Sequence, residues 1–517
     1  MNPGILQMWP LHRYADRTAI VFQQERLTFR QIDARVNRLS NGLLALGMTT
    51  GQKVAILLNN SIESVDCLSG IPRAGLATVA LNARHAAPEN AYVMNDAGVD
   101  AVIVGADLWP RLESALPDVK TVKHVIVVGQ GGRGLDYHEL CRAQPETAPD
   151  VDVDDDIVDR IQYTSGTTGR PKGAASTYRI TYNRLMNTLI NLDQPILPTD
   201  VNLNIGPLTH AAGLMMSSYY IRGAANVVLS KFEPEEVLQT IEREKVTSVL
   251  LIPTMLIMLL MSPNLKKYDL SSVKRVWYGT APMPVERLKQ AIEVFGPVFR
   301  QNYGLTESPQ PVTYLAPEDH VINGSEAESR RLSSAGKPAL GVAVKVVRDT
   351  GSEIAPGEIG EILIQTNQLM KEYWRRPEET AAVFRGGWFH TGDMATIDAD
   401  GYIYIKDRKN DMIISGGFNI YPREVEEVIM AHPGVANAAV IGIPDDVWGE
   451  SVKAFVVTKP GAALTEAEVI DFCKQGIASY KKPKSIEFVS ALPINAYGKV
   501  MRRELKEPYW QGRDRKV

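Results

Sequence analysis

Three cysteines in 517 residues (Cys67, Cys141 and Cys473) are too few and too far apart for a disulfide framework or a thiolate metal site. The chain therefore reads as a protein of a reducing compartment, with the cytoplasm as its expected location. No sign of charge dominates: 56 Lys and Arg stand against 60 Asp and Glu, a net charge of -4. That gives no electrostatic reason to expect nucleic acid as a partner. Long apolar runs are missing too. The most apolar stretch, "VTSVLLIPTMLIMLLM" from Val246 to Met261, is short for a membrane span and Pro253 cuts it. It reads as a buried strand followed by a core helix, so no transmembrane segment is expected. The start, "MNPGILQMWPLHRYADRT", lacks the basic-then-apolar order of a signal peptide. No repeat of solenoid period is visible. With 44% apolar and 22% charged residues the composition is that of an ordinary soluble globular protein. The length exceeds what one hydrophobic core usually supports, so two or more domains are expected.

What is present alternates. "KVAILL", "ATVAL", "DAVIVG" and "KHVIVV" are unbroken apolar strands separated by amphipathic segments, the pattern of a parallel sheet buried on both faces. "RQIDARVNRLSNGLLALG" has helical spacing and stops at Gly47. The acidic run "DVDVDDDIVD" separates this block from the next. Near the end, "GYIYIKDRKNDMIISGGFNIYPREVEEVIMAHPGV" passes through two strands into a helix, and further strands and a helix follow. This is a compact α+β unit of about a hundred residues. The expected domains are therefore 1–408 and 411–517, joined at 409–410, where polar and charged residues link two apolar strands.

Three motif matches fail on context. "GQGGRG", Gly129 to Gly134, fits G-x-G-x-x-G, but barely two helical turns follow before Pro145 and no strand comes promptly. "DADG" at Asp398–Gly401 starts like a calcium loop, yet Lys409 occupies the twelfth position, where a bidentate glutamate is required. A hairpin turn is the better reading. "YTSGTTGRPKG", Tyr163 to Gly173, lacks the spacing of a Walker A loop. Its glycines, hydroxyls and Lys172 nonetheless suit a cradle for phosphate, with a solvated surface loop as the alternative.

Four other stretches bear on that choice. "QNYGLTES" sets an aromatic and a glycine beside Thr306 and Glu307, suited to base stacking and a hard-metal carboxylate. "WFHTGD" ends in Asp393, which could accept from two ribose hydroxyls. "KDRKNDMIISGGFNIYP" couples charges to a glycine pair, and "PINAYGKV" presents Lys499 after a tight turn. Taken singly, each has a bland reading: a solvated Glu307, a turn cap at Asp393, a bulge at Gly416–Gly417, a surface Lys499.

In this order and over essentially the whole chain, these motifs resemble the adenylate-forming superfamily of acyl-CoA synthetases, peptide-synthetase adenylation domains and firefly-type luciferases. The likeness is strongest to stand-alone fatty-acyl and aryl-acid CoA ligases. It implies an α/β fold, with a large N-terminal domain of stacked βαβ sheets plus a distorted β-barrel and a small mobile α+β C-terminal domain. It implies that a carboxylic acid and ATP give acyl-AMP and pyrophosphate, and that CoA then displaces AMP, with Mg²⁺ as the metal. Because an anion attacks an anion, catalysis is mostly positioning and charge neutralisation. By this resemblance Thr164, Ser165, Gly166, Thr167, Thr168, Gly169 and Lys172 hold the β/γ-phosphates. Glu307 binds Mg²⁺ and Thr306 reaches the phosphates. Gly279, Thr280, Ala281, Asn302, Tyr303 and Gly304 line the adenine pocket, and Asp393 and Arg408 grip the ribose. Lys499 bridges carboxylate and α-phosphate, then leaves as the small domain turns about Asn410, where relatives usually carry Asp or Lys. Gly416, Gly417 and Phe418 line the CoA channel, and Lys481 and Lys482 either meet CoA phosphates or form a solvated turn. His210 stands beside the acyl and thiol sites as a catalytic candidate, with a structural or solvated loop histidine as the alternative, and forms the acyl pocket with Met215, Tyr278, Gly279 and Gly304. The stretches assigned to that pocket hold no Arg or Lys, which favours a monocarboxylic fatty or arylalkyl acid. A carrier-protein-loading adenylation enzyme and a silent nucleotide-binding scaffold are the alternatives, and a homodimer is left open.

Overall fold

The unbroken apolar runs become parallel strands covered on both faces. The structure, a computed structural model, describes residues 3–6, 8–83, 85–164, 171–409, 411–416, 418–494 and 500–511. In an eight-stranded sheet, Ala77–Ala80, Lys53–Leu57, Ala101–Gly105 and His124–Val128 lie parallel and adjacent. Alternate side chains divide between two cores. Val54, Ile56, Ala101 and Ile103 pack with Leu39, Cys67 and Ile71 from the helices Phe29–Ala45 and Ile62–Arg73. Ala55, Leu57, Val102 and Val104 pack on Val93 and Met94 of the helix Ala87–Ala97. The helix starts are set locally: Thr28 and Ser61 each form a reciprocal capping box with the residue three positions on.

A nine-stranded sheet holds the parallel run Thr18–Phe22, Ala225–Val228, Val201–Asn204, Ser248–Leu250, Arg275–Gly279 and Phe299–Leu305. The apolar stretch that is too short for a membrane span is the strand Ser248–Leu250 and the helix Pro253–Leu260. No helix among the described residues is long and apolar enough to cross a membrane. A third, antiparallel sheet of five strands includes Val342–Val347, Gly360–Thr366, Trp388–Ile397 and Ile403–Arg408. Register shifts in its pairings make it irregular. The "DADG" stretch is the turn between its last two strands, where Asp398 accepts from the amides of Asp400 and Tyr402. The Gly129–Gly134 stretch leads only to the two-residue strand Leu135–Asp136 and the six-residue helix Tyr137–Arg142, so it opens no dinucleotide site.

The C-terminal unit is a five-stranded sheet built around Val435–Asp445 and Gly449–Thr458. The helices Pro422–Ala431 and Glu466–Gly476 cover one face, while Arg502–Trp510 packs against the other. Its junction with the preceding sheet centres on Asp407, which accepts from the Arg423 amide at 3.1 Å and pairs with Arg502 at 3.4 Å. Arg502 also holds Glu426 at 2.7 Å. The strand ends at Arg408, and Lys409 pairs with Asp349 at 2.6 Å. Asn410 and Gly417 lie outside the described residues.

Candidate active site

Ligands of open α/β sheets settle where parallel strands end, and the expected adenine residues sit at such ends. Gly279 ends the strand Arg275–Gly279 and stands in register opposite Asn302, inside the neighbouring parallel strand Phe299–Leu305. A Cβ on Gly279 would lie 2.1 Å from the Asn302 carbonyl oxygen, and one on Gly304 would lie 2.6 Å from the Gln310 amide nitrogen. Only glycine fits at either position. Thr280 takes a left-handed φ of 65°, which costs a non-glycine residue on the order of 1 kcal/mol and turns the chain toward Ala281. Asn302 is buried, and its Oδ1 accepts no hydrogen bond. A buried acceptor of this kind has room for a donor that the chain does not supply, such as an exocyclic base amine.

From the same strand Tyr303 reaches the antiparallel sheet. Its hydroxyl donates to Asp393 Oδ2 at 2.5 Å, and Arg408 Nε lies 3.3 Å from Asp393 Oδ1. Asp393 and Arg408 are paired directly across adjacent strands. Asp393 is 6% exposed and Tyr303 8%. The carboxylate holds the Arg408 proton more firmly than usual, and burial drives the Tyr303 hydroxyl well away from ionising. Tyr303 thus presents its hydroxyl to the expected ribose carboxylate.

The hairpin turn after Tyr303 carries Thr306 and Glu307. The Glu307 carboxylate accepts from the Tyr373 hydroxyl at 2.6 Å, and its carbonyl accepts from the Met370 amide at 2.6 Å. Tyr373 lies on the short strand Glu372–Tyr373, which pairs with Gly173–Thr177, the strand that follows the hydroxyl-rich loop. The ammonium of Lys172 stands 5.3 Å from the centre of the Tyr373 ring and pairs with Glu379. The loop closes through the Thr164 amide, which donates to the Lys172 carbonyl at 2.9 Å. Ser165, Gly166, Thr167, Thr168 and Gly169 lie outside the described residues, as does Lys499. Glu307, Lys172, Asp393 and Arg408, contributed by three different sheets, are connected through Tyr373 and Tyr303.

His210 lies just before the helix Ala211–Ile221. Its Nε2 is 2.7 Å from Gln162 Nε2 and its Nδ1 2.9 Å from Thr209 Oγ1. Burial, and after it the charge of Arg160, lower its pKa to about 3, so the imidazole is neutral at physiological pH. Two other residues expected in the acyl pocket are buried in separate cores. Met215 is packed with Tyr219 and Trp277 in one core. Tyr278, the next residue on the strand, points through the opposite face into another core, where its hydroxyl meets His320 at 3.0 Å. The Tyr278 and Met215 side chains therefore pack in different cores.

On the C-terminal unit, the Gly416 amide donates to the Trp448 carbonyl, and a Cβ on Gly416 would lie 2.4 Å from the Trp448 ring. Phe418 is 53% exposed and stacks on Tyr480 with centroids 4.6 Å apart. Lys484 covers the Trp448 ring at 5.5 Å, and Lys481 is bound to Glu424 at 2.6 and 2.8 Å. Trp448, Tyr480, Tyr373 and Gln162 carried no signal of their own in the sequence, because each becomes noticeable only through the residue it touches.

Comparison with known proteins identifies the family. Residues 8–374 match the model of the AMP-binding enzyme family, and 424–499 match that of the AMP-binding enzyme C-terminal domain. A medium/long-chain-fatty-acid–CoA ligase of Mycobacterium tuberculosis is 35% identical over 99% of this chain and 91% of its own. A feruloyl-CoA synthase of an Amycolatopsis species is 36% identical over 98% of this chain and 99% of its own. The crystal structure of an anthranilate CoA ligase in complex with anthranoyl-AMP aligns with a TM-score of 0.90 at 29% identity, covering 98% of this chain and 97% of that one. The chain belongs to the AMP-binding enzyme family, in the acyl-CoA synthetase branch of the adenylate-forming superfamily, and is an AMP-forming acid–thiol ligase that uses ATP and CoA.

Proposed function

We propose that the residues joined through Tyr303 and Tyr373 form the ATP site of this ligase, and that one site serves both half-reactions. The observation that carries the reading is the convergence of Glu307, Lys172, Asp393 and Arg408 from three sheets. Asp393 accepts the ribose hydroxyls, Asn302 Oδ1 accepts from the adenine amine, and Lys172 with the hydroxyls of the 164–169 loop holds the β/γ-phosphates. Glu307, fixed by Tyr373, suits Mg²⁺, an ion commonly held by one or two carboxylates together with substrate phosphates. That ion neutralises phosphate charge when bound. Lys499 offsets the repulsion between the attacking carboxylate and the α-phosphate.

Neutral His210, held by Gln162 and Thr209, stands beside the acyl group as a polar ring that adds no charge. Thiol delivery follows rotation of the small domain at 409–410, which presents the Gly416–Phe418 stretch. The exposed Phe418–Tyr480 stack and the Trp448 ring offer aromatic faces beside lysines, a surface suited to the base and phosphates of CoA. The cytoplasm supplies ATP and CoA and fits the unpaired cysteines. ATP–pyrophosphate exchange across a carboxylic-acid panel, repeated with CoA and read by mass spectrometry, tests the function. Exchange followed by CoA-dependent thioester is the expected result. Exchange with no thioester would favour a carrier-protein acceptor, and no exchange with any acid would refute the ligase.

A further inference from the structure

The helix Tyr178–Ile190 carries Arg184, which is only 3% exposed. Its Nη2 donates to the Leu214 carbonyl at 3.2 Å, in the first turn of the helix that His210 precedes. Its Nε and Nη1 are buried and have no acceptor. Leaving guanidinium donors unmet in the interior is costly, and native folds rarely do so without a reason.

A second arginine stands nearby. Arg160 lies on the strand Val158–Tyr163, two residues before Gln162 and so on the same face, and Gln162 holds His210. The charge of Arg160 is felt at both His210 and Arg184. One carboxylate, Asp159, lies within electrostatic reach of both arginines. Asp159 is 3% exposed, and its Oδ1 accepts no hydrogen bond. Among the described residues neither arginine makes an ion pair within 4 Å. Two cations thus share a single carboxylate beside the acyl site. Burial and the neighbouring guanidinium lower the Arg184 pKa to about 9, which still leaves it charged at neutral pH.

We infer that Arg184 and Arg160 receive a second carboxylate of the substrate, so that the enzyme activates dicarboxylic acids, one carboxylate at the reacting end and the other held by the arginines. The inference rests on the acid–CoA ligase reading. The expectation of a monocarboxylic acid came from stretches without Arg or Lys, whereas these two residues come from a strand and a helix outside those stretches. A carboxylate is the natural partner because guanidinium geometry matches it, and its charge balances the site.

Matched pairs of acids test this: hexanoate with hexanedioate, octanoate with octanedioate, and benzoate with benzene-1,2-dicarboxylate. Pyrophosphate exchange and CoA-dependent turnover are measured for the wild type, Arg184→Met, Arg184→Lys and Arg160→Met. In at least one pair the wild type should show a kcat/KM at least tenfold higher for the diacid. Arg184→Met should shift the diacid-to-monoacid ratio at least thirtyfold toward the monoacid, and Arg184→Lys should restore part of it. Preference for the monoacid in every pair overturns the inference. So does an equal loss for both members in Arg184→Met, the mark of a purely structural arginine. If Arg184→Met fails to fold, the wild-type preference and Arg184→Lys decide. No exchange with any acid sinks the ligase reading itself, and this inference with it.

Discussion

Removing the Asp393 carboxylate breaks one buried hydrogen bond and one ion pair. In Asp393→Ala the Tyr303 hydroxyl loses a charged acceptor at 2.5 Å between two groups that are almost wholly buried. A hydrogen bond to a charged group contributes about 1.5–3 kcal/mol. Arg408 loses an ion pair at 3.3 Å, but its side chain is 40% exposed, so solvent screening holds that contribution to about 1 kcal/mol or less. The expected destabilisation is therefore about 2–4 kcal/mol, read as a lower midpoint in chemical denaturation. Asp393→Asn keeps an acceptor for the phenol and should cost about half as much. The interaction can be isolated by a cycle with Tyr303→Phe, in which the coupling should be about 1–2 kcal/mol. Function gives a second readout. A carboxylate has four lone-pair positions, enough for Tyr303, Arg408 and two ribose hydroxyls. Loss of one such bond, at about 1.5–3 kcal/mol, corresponds to roughly tenfold to a hundredfold discrimination against 2′-deoxy-ATP. Asp393→Asn should weaken that discrimination and raise the KM for ATP. Additive effects in the cycle would show that the Tyr303–Asp393 bond contributes nothing. An unchanged KM and an unchanged deoxy-ATP ratio would leave Asp393 a purely structural residue.

Lys499→Ala should depress acyl-AMP formation by about 3–4 kcal/mol, a hundredfold or more, yet spare thioester formation from supplied acyl-AMP, and equal losses in both halves would contradict its role. Gly279→Ala places a methyl group 2.1 Å from a backbone oxygen of the neighbouring strand, so the strand ends must separate. ATP affinity should fall at least tenfold in isothermal titration, and an unchanged affinity would remove this strand end from the site. His210 is buried neutral, with its pKa lowered to about 3, so the unfolded chain takes up its proton first as the pH falls below about 6.5. Stability should therefore decline by up to about 1.4 kcal/mol per pH unit from pH 6.5 toward pH 3 on its account, and His210→Asn should flatten that slope. If the two pH profiles run parallel, the imidazole is protonated in the fold.

Sequence and structure divided the problem along a physical line. Parallel strands such as Ala101–Gly105 were legible because a sheet covered on both faces demands an unbroken apolar run, and Thr28 and Ser61 mark helix starts through contacts only three residues long. The motif order alone led to the family, and the proposed roles of Asp393, Glu307, Asn302 and Lys172 follow from the residue types that anion and ribose chemistry requires. Other features depended on partners far away in the chain. Tyr303 meets Asp393 across 90 positions, and Glu307 meets Tyr373 across 66. Sequence could not separate Met215 from Tyr278, since that followed from which face of one strand each core lies on. Arg160 and Arg184 belong to none of the motifs that the sequence displays. Only the fold buried Arg184 beside the His210 helix and left its Nε and Nη1 without acceptors, because burial and missing partners are properties of packing rather than of local sequence.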